Sequence, residues 1–327
     1  MNVVITGGAG FLGMRLARAL LERGQLTGTT GRPEPINEIV LLDVVAASGI
    51  EDKRIRTVVG DIADPAVMKR ALGADTSTVF HLAAIVSGQA EADFELGMRI
   101  NLDATRALLD ACRGLPQPPR FVFASSVAVF GGVLPDRVPA AFELNPQTSS
   151  GTPKTIGELL VNDYGRRGFV DARAYRLPTI CVRPGMPNRA ASSFASGIIR
   201  EPLQGIDADC PVAPETRMWL SSPRTAIENL IHGHELDGAS LGFNRALSLP
   251  GLTVTVAGMV AALELVAGKA ASACVHFCRD EKIDRLVSSW PGALNTDRAL
   301  SLGFKADTDF ADIVRAHIAE SGLQRPD

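Results

Sequence analysis

From residue 2 to about residue 180 the chain alternates between short apolar runs and longer stretches whose apolar residues recur every three or four positions. The short runs are "NVVIT", "EIVLLD", "IRTVVGD", "STVFHLAA", "RFVFASS" and "DARAYRLPTI". They are rich in Val, Ile and Phe, as strands buried on both faces are. Between them, "FLGMRLARALLERG", "DPAVMKRAL", "MRINLDATRALLDACR" and "KTIGELLVNDYGRRG" carry helical spacing. Such alternation points to a parallel sheet with helices on both faces. The expected fold class is therefore α/β, a doubly wound parallel sheet.

Local signals set several boundaries. Gly24 stops the first helix. Asp64 and Pro65 supply an N-cap and a first helical residue. Pro153 is tolerable only in a first helical turn, so its helix begins near Gly151 or Thr152. The stretch Leu26–Asn37, "LTGTTGRPEPIN", reads as a polar surface insertion. After Pro178 the rhythm changes. "RPGMPNRAASS" is rich in turn residues, "MWLSSPRTAIENLIHGHEL" is a short strand and a helix, and the tail carries two or three helices. The expected division is residues 1–178 for a nucleotide-binding part and 179–327 for a smaller, mainly substrate-binding α/β lobe, with some segments returning to the first.

Composition narrows the partners. The 327 residues are 46% apolar with a net charge of −3, so no basic field points to nucleic acid or a membrane surface. No apolar run approaches the ~18 residues of a membrane span. The start enters a strand at once and leaves no room for a secretory leader; the expected location is cytoplasmic. Five scattered cysteines suggest no disulfide framework. Cys274, His276 and Cys278 in "CVHFC" read as one apolar strand face rather than a metal site, which needs a fourth ligand. His232 and His234 read as a helix end. No metal is expected.

"TGGAGFLG" places Gly7, Gly10 and Gly13 between a strand and a helix. Gly7 permits a tight turn, Gly10 lets backbone approach a pyrophosphate, and Gly13 lets the helix pack close to the sheet. The motif in this context points to a dinucleotide. Asp43, ending the second strand, suits ribose hydroxyls and repels a 2′-phosphate. "VVAA" after it offers no arginine, which favours NAD over NADP. Asp61 in "GDI" is placed to meet an adenine amino group.

These residues resemble the extended short-chain dehydrogenase/reductase superfamily, which includes the nucleotide-sugar epimerases. The likeness covers nearly the whole chain. It runs through "TGGAGFLG", "GDI", "HLAA", "MRINLDAT", "FASSVAVFGG" and "YRLPTICVRPG". "AYRLPTICVRPG", "NRAASSFASGIIREPL" and "WLSSPRTAIENLIHGHEL" resemble the D-erythronate dehydrogenase family, oxidoreductases acting on the 2-hydroxyl of four-carbon sugar acids. The resemblance implies a Rossmann fold with NAD held by Gly7, Gly10, Phe11, Leu12, Gly13, Asp43, Asp61, Ile62, Leu82, Ala83, Ala84, Asn101, Lys154 and Pro178. It implies Ser126, position 150 and Lys154 as catalytic, and a homodimer formed through helices near residues 88–113 and 150–167.

Position 150 departs from that pattern. "PQTSSGTPK" carries Ser150 where the resembled family has a tyrosine that takes the hydroxyl proton as hydride leaves. A serine hydroxyl is a far weaker acid than a phenol, and its side chain is shorter. Three readings stand open. The chain is a dehydrogenase whose tyrosine has been changed, a variant that moves protons through water, Lys154 or another tyrosine, or a non-catalytic NAD-binding protein. Tyr164 lies ten residues past Lys154, roughly 15 Å along the helix, and Tyr175 reads as core. A small hydroxy acid needs a cation for its carboxylate. Arg183 and Arg224 are the candidates, with Ser87, Ser126 and Trp219 lining the same pocket. No residue set demands the uridine site of a nucleotide-sugar epimerase.

Overall fold

A computed structural model describes residues 1–322. Its centre is a seven-stranded sheet: β1 (Asn2–Thr6), β2 (Glu38–Asp43), β3 (Ile55–Val59), β4 (Thr76–His81), β5 (Arg120–Ser126), β6 (Asp171–Leu177) and β7 (Ala246–Ser248). All neighbours are parallel, in the order β7-β6-β5-β4-β1-β2-β3. Successive side chains fall on opposite faces, so each strand feeds two cores. Val3 and Ile5 join one apolar cluster with Ile39, Leu41 and Phe80. Val4 joins the other with Val40, Leu42 and Val79. This explains the continuous apolar runs in the sequence.

Helices cover both faces. The first cluster takes α1 (Phe11–Arg23) and α5 (Pro223–Glu235) through Leu16, Leu20, Ile227 and Leu230. The second takes α2 (Pro65–Ala71), α3 (Ala104–Arg113) and α4 (Gly151–Arg166) through Val67, Leu108 and Val161. Helix α1 ends at Gly24, whose φ of 71° is the left-handed C-cap conformation. Asp64 caps α2 by accepting from the Ala66 N–H, with Pro65 at its first position. Pro153 sits in the first turn of α4 and is buried.

The carbonyl end of α5 is held by buried arginines from the sheet. Arg173 donates to the Gly233 and Leu236 carbonyls at 2.9 and 2.6 Å, and Arg120 donates to the His234 carbonyl at 2.6 Å. Cations there suit the negative end of the helix dipole. Tyr175, fully buried, also donates to the Gly233 carbonyl, so it is core.

Beyond Leu177 a third apolar cluster forms. Strands Thr179–Ile180, Arg217–Ser221 and Leu252–Thr255 make a small mixed sheet. Helices Ser193–Arg200, Val256–Ser272 and Phe310–Ser321 pack beside it through Ile198, Ile199, Leu263 and Val314. Asp307 ties the tail to α5 by accepting from the Ser222 N–H, the Ser222 hydroxyl and the Thr225 hydroxyl. Helix α5 and strand β7 return from this half to the first sheet.

Three local expectations are corrected. Leu26–Asn37 is partly a hairpin, Gln25–Thr27 against Pro33–Pro35, and it buries Leu26 and Ile36. The prolines sit on a short two-stranded ribbon, where their missing N–H groups cost little. The helix expected near 88–113 is broken at Asp93, which starts a fresh helix by accepting from the Leu96 N–H. Among the described residues the strand Val275–Phe277 pairs only with Ala208–Cys210, and its Cys274, His276, Cys278 face is open, with Cys278 exposed. His276 is 49% exposed there, 3.2 Å from Asp207. The tail helices are Glu281–Ser288, Asp297–Ser301 and Phe310–Ser321.

Candidate active site

The strand order reverses where β4 and β2 flank β1, and a crevice opens there beyond the carboxyl ends of the strands. It holds a cavity of about 570 Å³.

One end is built from the glycine turn. Gly7 has φ 69°, which disfavours any side chain, and a Cβ there would meet the Ala83 backbone nitrogen at 2.9 Å. A Cβ on Gly13 would lie 2.2 Å from the Gly7 carbonyl oxygen. The turn therefore lets α1 begin almost against the sheet, its first N–H groups aimed into the cavity mouth. Phe11, Leu12, Ile62, Leu82, Ala83 and Ala84 line this part with Gly10.

Asp43 stands at the far side of the turn. Its Oδ2 accepts from the Ala9 N–H at 3.0 Å and its Oδ1 from the Val44 N–H at 2.7 Å. Both oxygens retain accepting capacity toward the cavity. Asp61 accepts from the Ala63 N–H and from Arg99 Nη1 at 2.6 Å. Its carboxylate is thus already shared with Arg99, a cavity-lining residue absent from the sequence expectations.

Asn101 lies in a π-helical turn, Arg99–Asp103, that leads into α3. Such wide turns recur at functional sites. Its amide clamps Ile85, accepting from the Ile85 N–H at 2.7 Å and donating to the Ile85 carbonyl at 3.0 Å. This fixes the loop after β4, which leads into the short helix that Ser87 begins. Ser87 lines the cavity, and its hydroxyl accepts from the Ala191 N–H.

The other end gathers the chemistry. Ser126 closes β5, and its Oγ accepts from the Ala128 N–H at 3.1 Å. That contact occupies an acceptor position and leaves the hydroxyl proton free to donate. Ser150 is the residue before α4, with its Oγ 3.3 Å from Thr148 Oγ1. Lys154, one turn on, is 8% exposed. Its Nζ donates to the Ala124 carbonyl at 2.6 Å and stands 4.6 Å from the centre of the Phe123 ring. Burial draws its pKa down to about 8, against the opposing pull of Glu158. Glu158 is held by Arg176 and by the Ser125 hydroxyl. Helix α4 reaches this close to the sheet because Gly151 and Gly157 lack a Cβ; one at 157 would meet the Phe123 ring at 2.8 Å.

Pro178 and Arg183 line the cavity where the chain leaves β6. Helix Ser193–Arg200 fixes the Arg183 backbone. Its N–H donates to Ser196 Oγ at 3.0 Å, and its carbonyl accepts from Arg200 at 2.8 Å. Burial lowers the Arg183 guanidinium pKa below its usual value. Arg200 and Ser196 also line the cavity, as does Trp290, whose buried indole N–H has no partner among the described residues. Sequence reasoning missed all three. Ser196 and Arg200 stand four apart on one helix face, the one available signal; Trp290 had none.

Two expected substrate residues lie elsewhere. Trp219 is 6% exposed in the cluster behind the Ser126 loop, packed with Val127, Val129 and Phe130. Its Nε1 donates to the Leu249 carbonyl. Arg224 opens α5 in a separate charged cleft with Glu228 and Asp307, its side chain 74% exposed. It does not line the cavity that Arg183 lines.

Known proteins match the chain over most of its length. A D-erythronate dehydrogenase of Cupriavidus necator is 58% identical over 99% of this chain and 100% of its own. One of Haemophilus influenzae is 44% identical over 97% of this chain and 99% of its own. The crystal structure of a nucleoside-diphosphate-sugar epimerase from Agrobacterium tumefaciens superposes with a TM-score of 0.90 at 43% identity, covering 99% of this chain and 95% of that one. The pattern of the NAD dependent epimerase/dehydratase family matches residues 3–217, and with the full-length relatives it establishes that the chain belongs to that family.

Proposed function

We propose that the protein is an NAD-dependent dehydrogenase that oxidises the 2-hydroxyl of a four-carbon sugar acid such as D-erythronate. The observation that carries this reading is the continuity of one cavity. It joins the glycine turn and Asp43 at one end to Ser126, Ser150, Lys154 and Arg183 at the other. The names of the 58% and 44% identical relatives agree with it.

The residues present fit NAD. The glycines leave room for a pyrophosphate where a Cβ would collide, the first N–H groups of α1 suit its charge, and Asp43 offers acceptors to ribose hydroxyls. When bound, NAD supplies the acceptor for the hydride. At the substrate end Arg183 takes the carboxylate, because guanidinium pairs with it through two parallel hydrogen bonds. Ser126 donates its free proton to the oxygen that is losing its hydrogen. Ser150 leaves no phenol at the entrance of α4 to receive that proton, so turnover is slow. General acid–base catalysis is commonly worth ~10²–10⁴-fold.

Three outcomes test this reading. Calorimetric titration should show tighter binding of NAD than of NADP, and Asp43→Ala should narrow the difference; equal affinities in the parent protein remove the role of Asp43. Arg183→Ala should raise the KM for D-erythronate by about 10- to 100-fold, the weight of a charge-assisted pair, while Arg224→Ala leaves it unchanged. The reverse pattern would place the acid in the other cleft. Ser150→Tyr should raise kcat by roughly two to four orders of magnitude with NAD affinity barely altered. A variant that binds both ligands and turns over no faster shows that position 150 is not where a phenol serves.

A further inference from the structure

A hydroxyl oxidation needs a group that takes a proton near neutral pH. The side chains lining the cavity can be sorted by whether they can do so. The ionisable ones are Asp43, Asp61, Arg99, Lys154, Arg183 and Arg200. Arginine does not give up its proton in a protein, which removes three. Asp43 belongs to the glycine turn, bound to the Ala9 and Val44 N–H groups. Asp61 is bound to Arg99 and the Ala63 N–H at the same end. No histidine, tyrosine, cysteine or glutamate lines the cavity among the described residues. Tyr164 is occupied with Asp110, and Tyr175 is buried against α5.

We infer that Lys154 is itself the general base of this chain, taking the proton that a phenol would otherwise take. The inference rests on the dehydrogenase reading and deepens it. The geometry suits both states of the amine. Nζ donates to the Ala124 carbonyl at 2.6 Å, and a neutral amine keeps protons for that bond while its lone pair stays free. Lys154 lies one helical turn past Ser150 at the start of α4, and both residues line the cavity. In the step, the substrate O–H bond breaks and its proton goes to Nζ, forming the ammonium. The electron pair of the O–H bond becomes the second C–O bond. The C2–H electron pair leaves as hydride to NAD. The products are the 2-oxo acid, NADH and a proton that the lysine later gives to water.

The surroundings keep the lysine titratable in the working range. Burial brings its pKa to about 8. Around it stand Glu158 on its own helix, Arg176 on β6 paired to Glu158, and His81 on β4. The π-helical turn Arg99–Asp103 also packs on α4, and its Arg99 is committed to Asp61 at the glycine-turn end. His81 is held through both ring nitrogens by Thr6 and Thr105, and burial first, then Lys154, pulls its pKa to about 3. It stays neutral throughout and does not share the titration. A base must be deprotonated to act, so activity should rise with pH.

The test uses the full chain with NAD and D-erythronate. The logarithm of kcat/KM should climb with unit slope and level off near pH 8, and the Lys154 side chain followed by NMR in the NAD complex should titrate at the same value. Lys154→Ala should lose about 100-fold or more in kcat, and small primary amines should restore it in proportion to their basicity. Lys154→Arg keeps the charge but cannot deprotonate; shown by calorimetry to fold and bind NAD, it should be inactive at every pH. Full activity in Lys154→Arg, or no amine rescue in Lys154→Ala that still binds both ligands, overturns the proposal. A parent protein inert where Ser150→Tyr is active also overturns it and leaves the dehydrogenase reading standing. If both are inert toward D-erythronate while binding NAD, the dehydrogenase reading falls as well.

Discussion

The contact between the turn after β1 and the first turn of α1 is the constraint on which the site depends. Gly13 approaches the Gly7 carbonyl so closely that a Cβ would sit 2.2 Å from it. Only glycine allows α1 to start there, and only that start turns unpaired N–H groups toward the cavity. The same closeness recurs on the other side of the sheet, where Gly157 lets α4 lie against Phe123 of β5 and Gly151 lets its start lie against the Ala128 carbonyl. Two helices with missing side chains thus set the two ends of one cavity, to which the proposed function assigns phosphate binding and proton chemistry.

Lys154 carries the second end. An isolated ammonium is costly to bury, and the structure offsets this with the Ala124 carbonyl, the Phe123 ring and the Glu158 carboxylate. Glu158 is in turn neutralised by Arg176 and bonded by Ser125, so its pull on the lysine is moderated. Burial prevails and brings the lysine pKa down to about 8. In the proposed mechanism, the same arrangement that would depress a neighbouring phenol leaves, beside a serine, a usable base.

Much of the fold was legible because parallel strands buried on both faces leave unbroken apolar runs. Val3, Val4 and Ile5 serve two cores at once. The glycine turn and Asp43 were readable from their places at strand and helix ends, Asn101, Ser126 and Lys154 from the family resemblance, and the structure sets them on one cavity. What failed was set by tertiary direction. Arg183 and Arg224 look alike in sequence, each following a strand, yet one enters the cavity and the other opens a helix into a different cleft. Trp219 reads as a pocket aromatic but its strand turns it into the cluster behind Ser126. The hairpin at Gln25–Thr27 was hidden by the prolines of its partner, and the wide turn at Arg99–Asp103 by a helical pattern that continues through it.

The most direct test of the account is where the hydrogen on C2 goes. D-erythronate carrying deuterium at C2 is given to the protein with NAD for a single turnover, and the cofactor and the acid are analysed by mass spectrometry. The account predicts a 2-oxo acid without the label and one deuterium in the reduced nicotinamide. A labelled acid that keeps its deuterium, with no net NADH, would contradict it and point to an epimerase or to a protein that only binds.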